Sequence, residues 1–225
     1  MNKNKICVFD FETDGRDVKT LNPVQLAAVI VDPRKLELVN KAEFNSFMRP
    51  EGIDDEDYFD KNRATIEWHS NIRGCTVEEI LDLWKEAPPQ KIVWGNFLEF
   101  LNKFHKQGQR KTKFSAPIAC GYNIHSFDLP IVKRLCAKHC KSKEIFHPRD
   151  KVDLMHWMFP WFENSTDVTS YSMDNMREYF GISTANAHDA LKDVKDGANL
   201  LCRFLRLHRR TAKTVKFKGS FVGTK

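Results

Sequence analysis

Long hydrophobic runs are missing from this sequence: no stretch approaches the roughly 18 consecutive apolar residues of a membrane-spanning helix, so a helical membrane protein is excluded. Glycine and proline are also scarce, at 10 and 9 of 225 residues, too few for a collagenous or low-complexity chain. There is no internal repeat. The six cysteines (Cys7, Cys75, Cys120, Cys136, Cys140, Cys202) have no regular spacing, and Cys7 and Cys120 lie inside apolar runs, which speaks for reduced thiols rather than a disulfide framework. The opening Met-Asn-Lys-Asn-Lys leads straight into a short apolar strand, with no signal-like segment between; the expectation is an intracellular, cytoplasmic protein. Acidic residues are absent after Asp196.

What is present is a core. Apolar residues make up 41% of the chain, with 17 Phe and 5 Trp among them, enough for one sizeable domain. The net charge of +6 is unevenly placed. From Arg203 onward there are eight basic residues and no acidic one, which leaves 28 basic against 30 acidic residues in the body. The expected layout is a domain over 1–208 followed by a basic tail over 209–225.

Lys5 to Thr13 reads as a buried strand, Val24 to Val31 as a second and Ala42 to Met48 as a third. Turn signals at Asp14-Gly15 and Asp32-Pro33 predict an antiparallel meander. An acidic loop is expected over 53–60. Thr76 and Glu79 form a capping box that opens a helix to about Glu86, ended by Pro88-Pro89. An amphipathic helix follows over about 96–106, with Phe97, Phe100 and Phe104 on its core side. A fourth strand is expected over Ala116 to Gly121, then a helix over about 127–140 capped by Ser126. Ser172 starts a short helix that stops at Gly181, and the last helix spans about Asp189 to Leu207. Strands that give way to alternating strands and helices describe an α/β domain with a mixed sheet, three antiparallel strands followed by parallel ones, flanked by helices.

Three short elements carry the chemistry. In Asp10-Phe11-Glu12, residues two apart on a strand share a face, so two carboxylates aim at one spot while Phe11 faces the core. Two acids ending an apolar strand are costly unless a positive charge compensates, and carboxylate oxygens suit a hard divalent cation. In Gly121-Tyr122-Asn123-x-x-x-Phe127-Asp128, a strand ends at a glycine and a helix opens with an aspartate. In His188-Asp189-Ala190-Leu191-Lys192-Asp193, the aspartate lies one turn into the final helix and the histidine just before it. Taken singly, each has an ordinary structural reading: a strand-end pair, a helix-dipole acid, a surface histidine.

Taken in order, the three elements resemble the three motifs of the DnaQ-like (DEDDh) 3′–5′ exonuclease family, proofreading exonucleases of the polymerase III epsilon type included. The likeness covers about residues 5 to 205. It implies a ribonuclease H-like fold and two-metal hydrolysis with two Mg²⁺ ions, Mn²⁺ being an expected substitute. It implies that Asp10 bridges both ions, that Glu12 and Asp193 complete the nucleophile-side metal, that Asp128 holds the second, and that His188 takes the proton from the attacking water. It also places Thr13 and the Phe11 backbone at the terminal 3′-hydroxyl, Gln25 and Leu26 near the terminal base, and Asn123 in support of the Asp128 loop. The implied function is a 3′–5′ exonuclease on single-stranded or frayed 3′ ends. DNA is preferred to RNA as the partner, and a homodimer is open. An exoribonuclease of the same family and a catalytically silent nucleic-acid-binding module are the alternatives.

Other signals have plainer readings. Cys136-x-x-His139-Cys140, with His147 as the one further candidate, lacks a full zinc ligand set. Trp157, Trp161 and Phe162 around Pro160 read as core, with an exposed base-stacking loop as the alternative. The basic tail could grip phosphate, dock a separate polymerase or replication protein, or end a helix; its 214–217 segment alternates like a strand.

Overall fold

The computed structural model describes residues 4–104, 114–140, 144–184 and 189–215. The strands are β1 (Ile6–Thr13), β2 (Pro23–Asp32), β3 (Glu37–Phe47), β4 (Ile118–Gly121) and β5 (Lys151–Asp153). The helices are α1 (Tyr58–Arg73), α2 (Val77–Glu86), α3 (Gln90–Asn102), α4 (Asp128–His139), α5 (Leu154–Phe162), α6 (Met173–Tyr179) and α7 (Ala190–Val215). They form one mixed sheet in the order β3-β2-β1-β4-β5. β1 pairs antiparallel with β2, and β2 with β3; β1–β4 and β4–β5 are parallel. This is the expected ribonuclease H-like sheet of three antiparallel strands continued by parallel ones.

β1 lies at the centre, and its alternation sorts the two layers. Cys7, Phe9 and Phe11 point into a core shared with Val93, Trp94 and Phe97 of α3 and Ile131 and Leu135 of α4. Ile6 and Val8 point the other way, onto Val194, Ala198 and Leu201 of α7, Leu154 and Met158 of α5 and Met176 of α6. A third cluster, Val24, Ile53, Tyr58, Ile66, Ile80 and Trp84, seats α1 and α2 beside the end of β2.

Several expectations need correction. The acidic stretch over 53–60 is not all loop. Its end opens α1, a helix whose 16 residues bury only Tyr58, Ile66, His69 and Ser70, leaving little apolar periodicity to detect. Pro89 precedes α3 as its N-terminal flanking residue, where its missing N–H removes no hydrogen bond from within the helix, so that helix starts at Gln90 rather than Asn96; 105–113 lie outside the described residues. β3 starts at Glu37, five residues early, because its first half is an edge with mostly exposed side chains. Ser126 does not cap α4: Phe127 occupies the flanking position and no side chain caps it. β5 and α5 escaped notice, the strand for its three residues and the helix because Pro160 sits inside it. The Phe97 and Phe100 stripe is core, and Trp157 and Phe162 pack against the α7 layer while Trp161 stays 39% exposed. Thr214 and Val215 belong to α7, not to a strand; Lys216 and Phe217 lie outside the described residues. The capping box at Thr76, the Ser172 cap and the left-handed Gly181 stand as expected.

Gly121 closes β4 where the backbones crowd. A Cβ there would meet the Phe9 carbonyl oxygen at 2.8 Å and clash with the Ile124 side chain. Backbone cannot yield as a flexible side chain can. Gly121→Ala is therefore expected to cost about 1–3 kcal/mol by overpacking, read as a lowered Tm; an unchanged Tm would contradict this packing.

Candidate active site

Because β1 and β4 are parallel neighbours, their C-terminal ends open on the same edge of the sheet, where open α/β folds form their sites. Asp10 and Glu12 extend the Ile6/Val8 face past the point where apolar contacts with α7 give out. The first turn of α7 brings Asp193 to the same place. Ligand atoms of Asp10, Glu12 and Asp193 all lie within 4.8 Å of one another, and this is the one such group of acids, histidines and cysteines among the described residues.

Asp128 approaches from the other direction. It is 1% exposed, at the start of α4, and its Oδ1 accepts the Phe11 backbone N–H at 3.0 Å. That bond inserts the Asp128 carboxylate between Asp10 and Glu12 along the chain. The loop that delivers it turns at Asn123, whose φ is 59°. It is stitched down by Asp153, whose carboxylate accepts the N–H groups of Asn123 and His125, each at 3.0 Å, and of Met155 at 3.1 Å.

Burial and mutual repulsion raise the affinity of this cluster for protons. Burial first, then the carboxylates of Asp128, Glu12 and Asp193, lift Asp10 well above the usual carboxylate range, against the pull of Arg177. Glu12 is pushed up to about 8 by burial and then Asp193, with Arg73 opposing. Asp128 is pushed up to about 7 by burial, offset in part by its backbone hydrogen bonds. Carboxyls held this far from their preferred charge form a site that a divalent cation would satisfy.

The remaining expected residues fall in different places. Phe11 and Thr13, with Glu12, line a cleft of about 260 Å³ completed by Gly15, Arg16, Trp68, His69 and Phe127, among others. Thr13 Oγ1 donates to Gly15 O at 2.7 Å, and His69 Nε2 donates to Thr13 O at 3.0 Å. Gln25 is fully buried opposite Glu12. Its amide donates to Asn45 Oδ1 at 2.9 Å and to Asp189 Oδ2 at 3.4 Å, and its carbonyl accepts from Arg73 at 2.7 Å. Leu26 has no exposed surface and packs in the α3/α4 layer, away from the cleft. His188 lies outside the described residues. Its neighbour Asp189 caps α7, accepting the N–H groups of Leu191 and Lys192 at 3.1 and 3.2 Å.

Arg73, Asp153, His69 and Arg177 were not anticipated. Arg177 is the least expected: its side chain has no exposed surface, yet it donates to Asp193 Oδ1 at 2.5 Å, Asp196 Oδ2 at 2.8 Å and Asp174 Oδ1 at 2.8 Å. The spacing of its partners was visible, since Asp174 precedes it by three residues and Asp193 and Asp196 are themselves three apart on a helix. Nothing in the sequence brought the two helices together. Cys136 and Cys140 pack in the α4 layer, Cys140 accepting the Trp94 indole N–H at 3.1 Å.

A family model described as the RNase_H superfamily matches residues 82–195, a span holding Asp128 and Asp193. The epsilon subunit of DNA polymerase III from Aquifex aeolicus (strain VF5) is 26% identical over 203 residues, 88% of this chain and 79% of that protein. Escherichia coli exonuclease I in complex with a dT13 oligonucleotide superposes with a TM-score of 0.68 at 16% identity, over 94% of this chain. The chain spans only 43% of that exonuclease. A 3′-exonuclease bound to a histone mRNA stem-loop matches with a TM-score of 0.59 at 16% identity, over 92% of this chain and 83% of its own. At such identities the two structures speak for the fold, while the family match and the epsilon relative speak for descent. The chain belongs to the RNase_H superfamily, among its DnaQ-like exonucleases.

Proposed function

We propose that this chain is a divalent-metal-dependent 3′–5′ exodeoxyribonuclease that acts on single-stranded or frayed 3′ ends and releases nucleoside 5′-monophosphates. The observation that carries the reading is the meeting of Asp10, Glu12 and Asp193 within 4.8 Å at the end of the central strand. The donor set is all carboxylate, as Mg²⁺ prefers. DNA is favoured because the epsilon subunit belongs to a DNA polymerase and exonuclease I was captured on an oligo-dT strand.

Asp10, Glu12 and Asp193 are the residues to hold one ion, and Asp10 with Asp128 the second. When bound, such ions supply an activated water and neutralise charge at the scissile phosphate. The chain's own residues do the positioning. Phe11 and Thr13 form the floor of the 260 Å³ cleft, where the 3′-terminal nucleoside fits between Trp68, His69 and Phe127. Since Thr13 spends its hydroxyl hydrogen on Gly15 O, its oxygen is left to accept from a sugar hydroxyl. Asn123 turns the loop that presents Asp128. Gln25 serves through Asp189, which it tethers beside His188, the residue assigned to take the proton from the attacking water. Leu26 supports the floor from behind.

Residues 1–208 would form the catalytic unit. The basic residues beyond it are the surface for a phosphate backbone or for a separate polymerase, by analogy with a relative named as a polymerase subunit. Six free cysteines accord with an intracellular setting. A second reading, an exoribonuclease, has its own support in the 3′-exonuclease bound to an mRNA stem-loop.

Matched DNA and RNA oligomers, single- and double-stranded, offered with Mg²⁺ should show faster loss of single-stranded DNA; faster loss of RNA would select the second reading. Asp10→Ala and Asp193→Ala should each abolish hydrolysis and leave the far-ultraviolet circular dichroism unchanged, whereas activity in both would sink the assignment. His188→Ala should slow turnover by about 10²–10⁴, the usual share of base catalysis.

The raised carboxyls also set a pH dependence. Unfolding returns Glu12 and Asp128 to ordinary carboxylate values, so the folded protein binds more protons between about 4 and about 8, and its stability falls as pH rises through that window. Metal-free protein should therefore melt lower at pH 8.5 than at pH 5.5. Adding Mg²⁺ or Mn²⁺ should raise Tm more at pH 8.5, since an ion binds the ionised cluster. An equal rise at both values would contradict the placement of the ion among these carboxylates.

A further inference from the structure

Arg177 stands beneath the acidic cluster rather than in it. It comes from α6, has no exposed side-chain surface, and meets three carboxylates: Nε with Asp196 at 2.8 Å, Nη2 with Asp193 at 2.5 Å, and Nη1 with Asp174 at 2.8 Å. Nε and Nη2 share one edge of the guanidinium plane. That edge faces two acids three residues apart on the same side of α7, so the group reads their spacing in a way a point charge cannot. Lys192 also holds Asp196 from the solvent side, which leaves Arg177 as the buried partner that α6 and α7 have in common.

Asp193 is the member of the acid group with the most reason to leave. Asp10 and Glu12 are fixed by strand pairing to β2, while Asp193 is a helical side chain with 18% of its surface exposed. Repulsion from the two strand carboxylates would turn it toward water. The Arg177 bond opposes that turn and holds one carboxylate oxygen in place.

We propose that Arg177 is a positioning residue for the metal: it pre-sets the Asp193 carboxylate, so that the cation meets a formed ligand set rather than having to gather one. This rests on the reading of Asp10, Glu12 and Asp193 as the metal ligands. The bland alternative is that Arg177 only fastens α6 to α7. The two differ in what they do to metal affinity.

The test is calorimetric titration of Mn²⁺ into the full chain, with Tm recorded for each variant. Arg177→Lys keeps the charge and loses the fork; it is expected to weaken Mn²⁺ binding about 10- to 100-fold, the usual effect of removing a group that orients a metal ligand. Turnover should then recover at high Mn²⁺, with KM for a single-stranded oligonucleotide unchanged. Asp174→Asn removes the half-exposed partner that does not touch Asp193, and should move affinity by less than about twofold, as exposed ion pairs contribute little. Arg177→Lys that melts lower yet binds Mn²⁺ like the parent would overturn the proposal, as would an equal loss in Asp174→Asn. If Arg177→Lys does not fold, Asp196→Asn takes its place: it removes one strut of the fork, a fall in Mn²⁺ affinity supports the proposal, and an unchanged affinity overturns it. A parent chain that takes up no Mn²⁺ would remove the metal reading itself, and the proposal with it.

Discussion

Carboxylates crowded at the end of a buried strand are the constraint around which this molecule is arranged. Left alone, Asp10, Glu12, Asp128 and Asp193 would repel one another and resist burial. Each is instead committed by backbone or by a partner. Asp10 and Glu12 are locked in register against Ala27 and Gln25. Asp128 is tied to the Phe11 N–H between them, and Asp193 to Arg177. The cost of holding like charges together is spread over a strand pairing, a main-chain hydrogen bond and a buried arginine.

The sheet topology makes this placement available. A central β1 with an antiparallel partner on one side and a parallel one on the other offers its C-terminal end to two neighbours at once. The antiparallel side brings Gln25 and, through it, Arg73 and Asp189; the parallel side brings the Gly121–Asp128 loop. α7 then lies along the Ile6/Val8 face, so the apolar contacts that hold it down also fix the height of Asp193. Packing and chemistry use the same alternation of β1: Cys7, Phe9 and Phe11 go to the α3/α4 core, Ile6 and Val8 to α7, and Asp10 and Glu12 to the acid group.

Much of this was legible beforehand. The alternation of Asp10, Phe11 and Glu12 gave the shared face directly, and the order of three motifs gave the fold. The elements that escaped detection did so for identifiable reasons. α1 buries few residues, β3 begins as an exposed edge, β5 is three residues long, and Pro160 disguised α5. Within the site, sequence could name the acids but not their keepers. Arg177, Asp153 and Arg73 reach Asp193, Asn123 and Gln25 across 16, 30 and 48 positions, through contacts that only the packed fold creates, and no local spacing announces them. Leu26 stands in register beside Phe11, buried in the layer behind the cleft.

The most direct measurement follows a 5′-labelled single-stranded DNA oligomer through time with Mg²⁺ and again with excess EDTA. A ladder shortening from the 3′ end, release of nucleoside 5′-monophosphates, and arrest on chelation are the expected results. Cleavage at internal positions, shortening from the 5′ end, or a rate indifferent to EDTA would contradict a carboxylate-held metal at the end of β1 as the seat of the reaction.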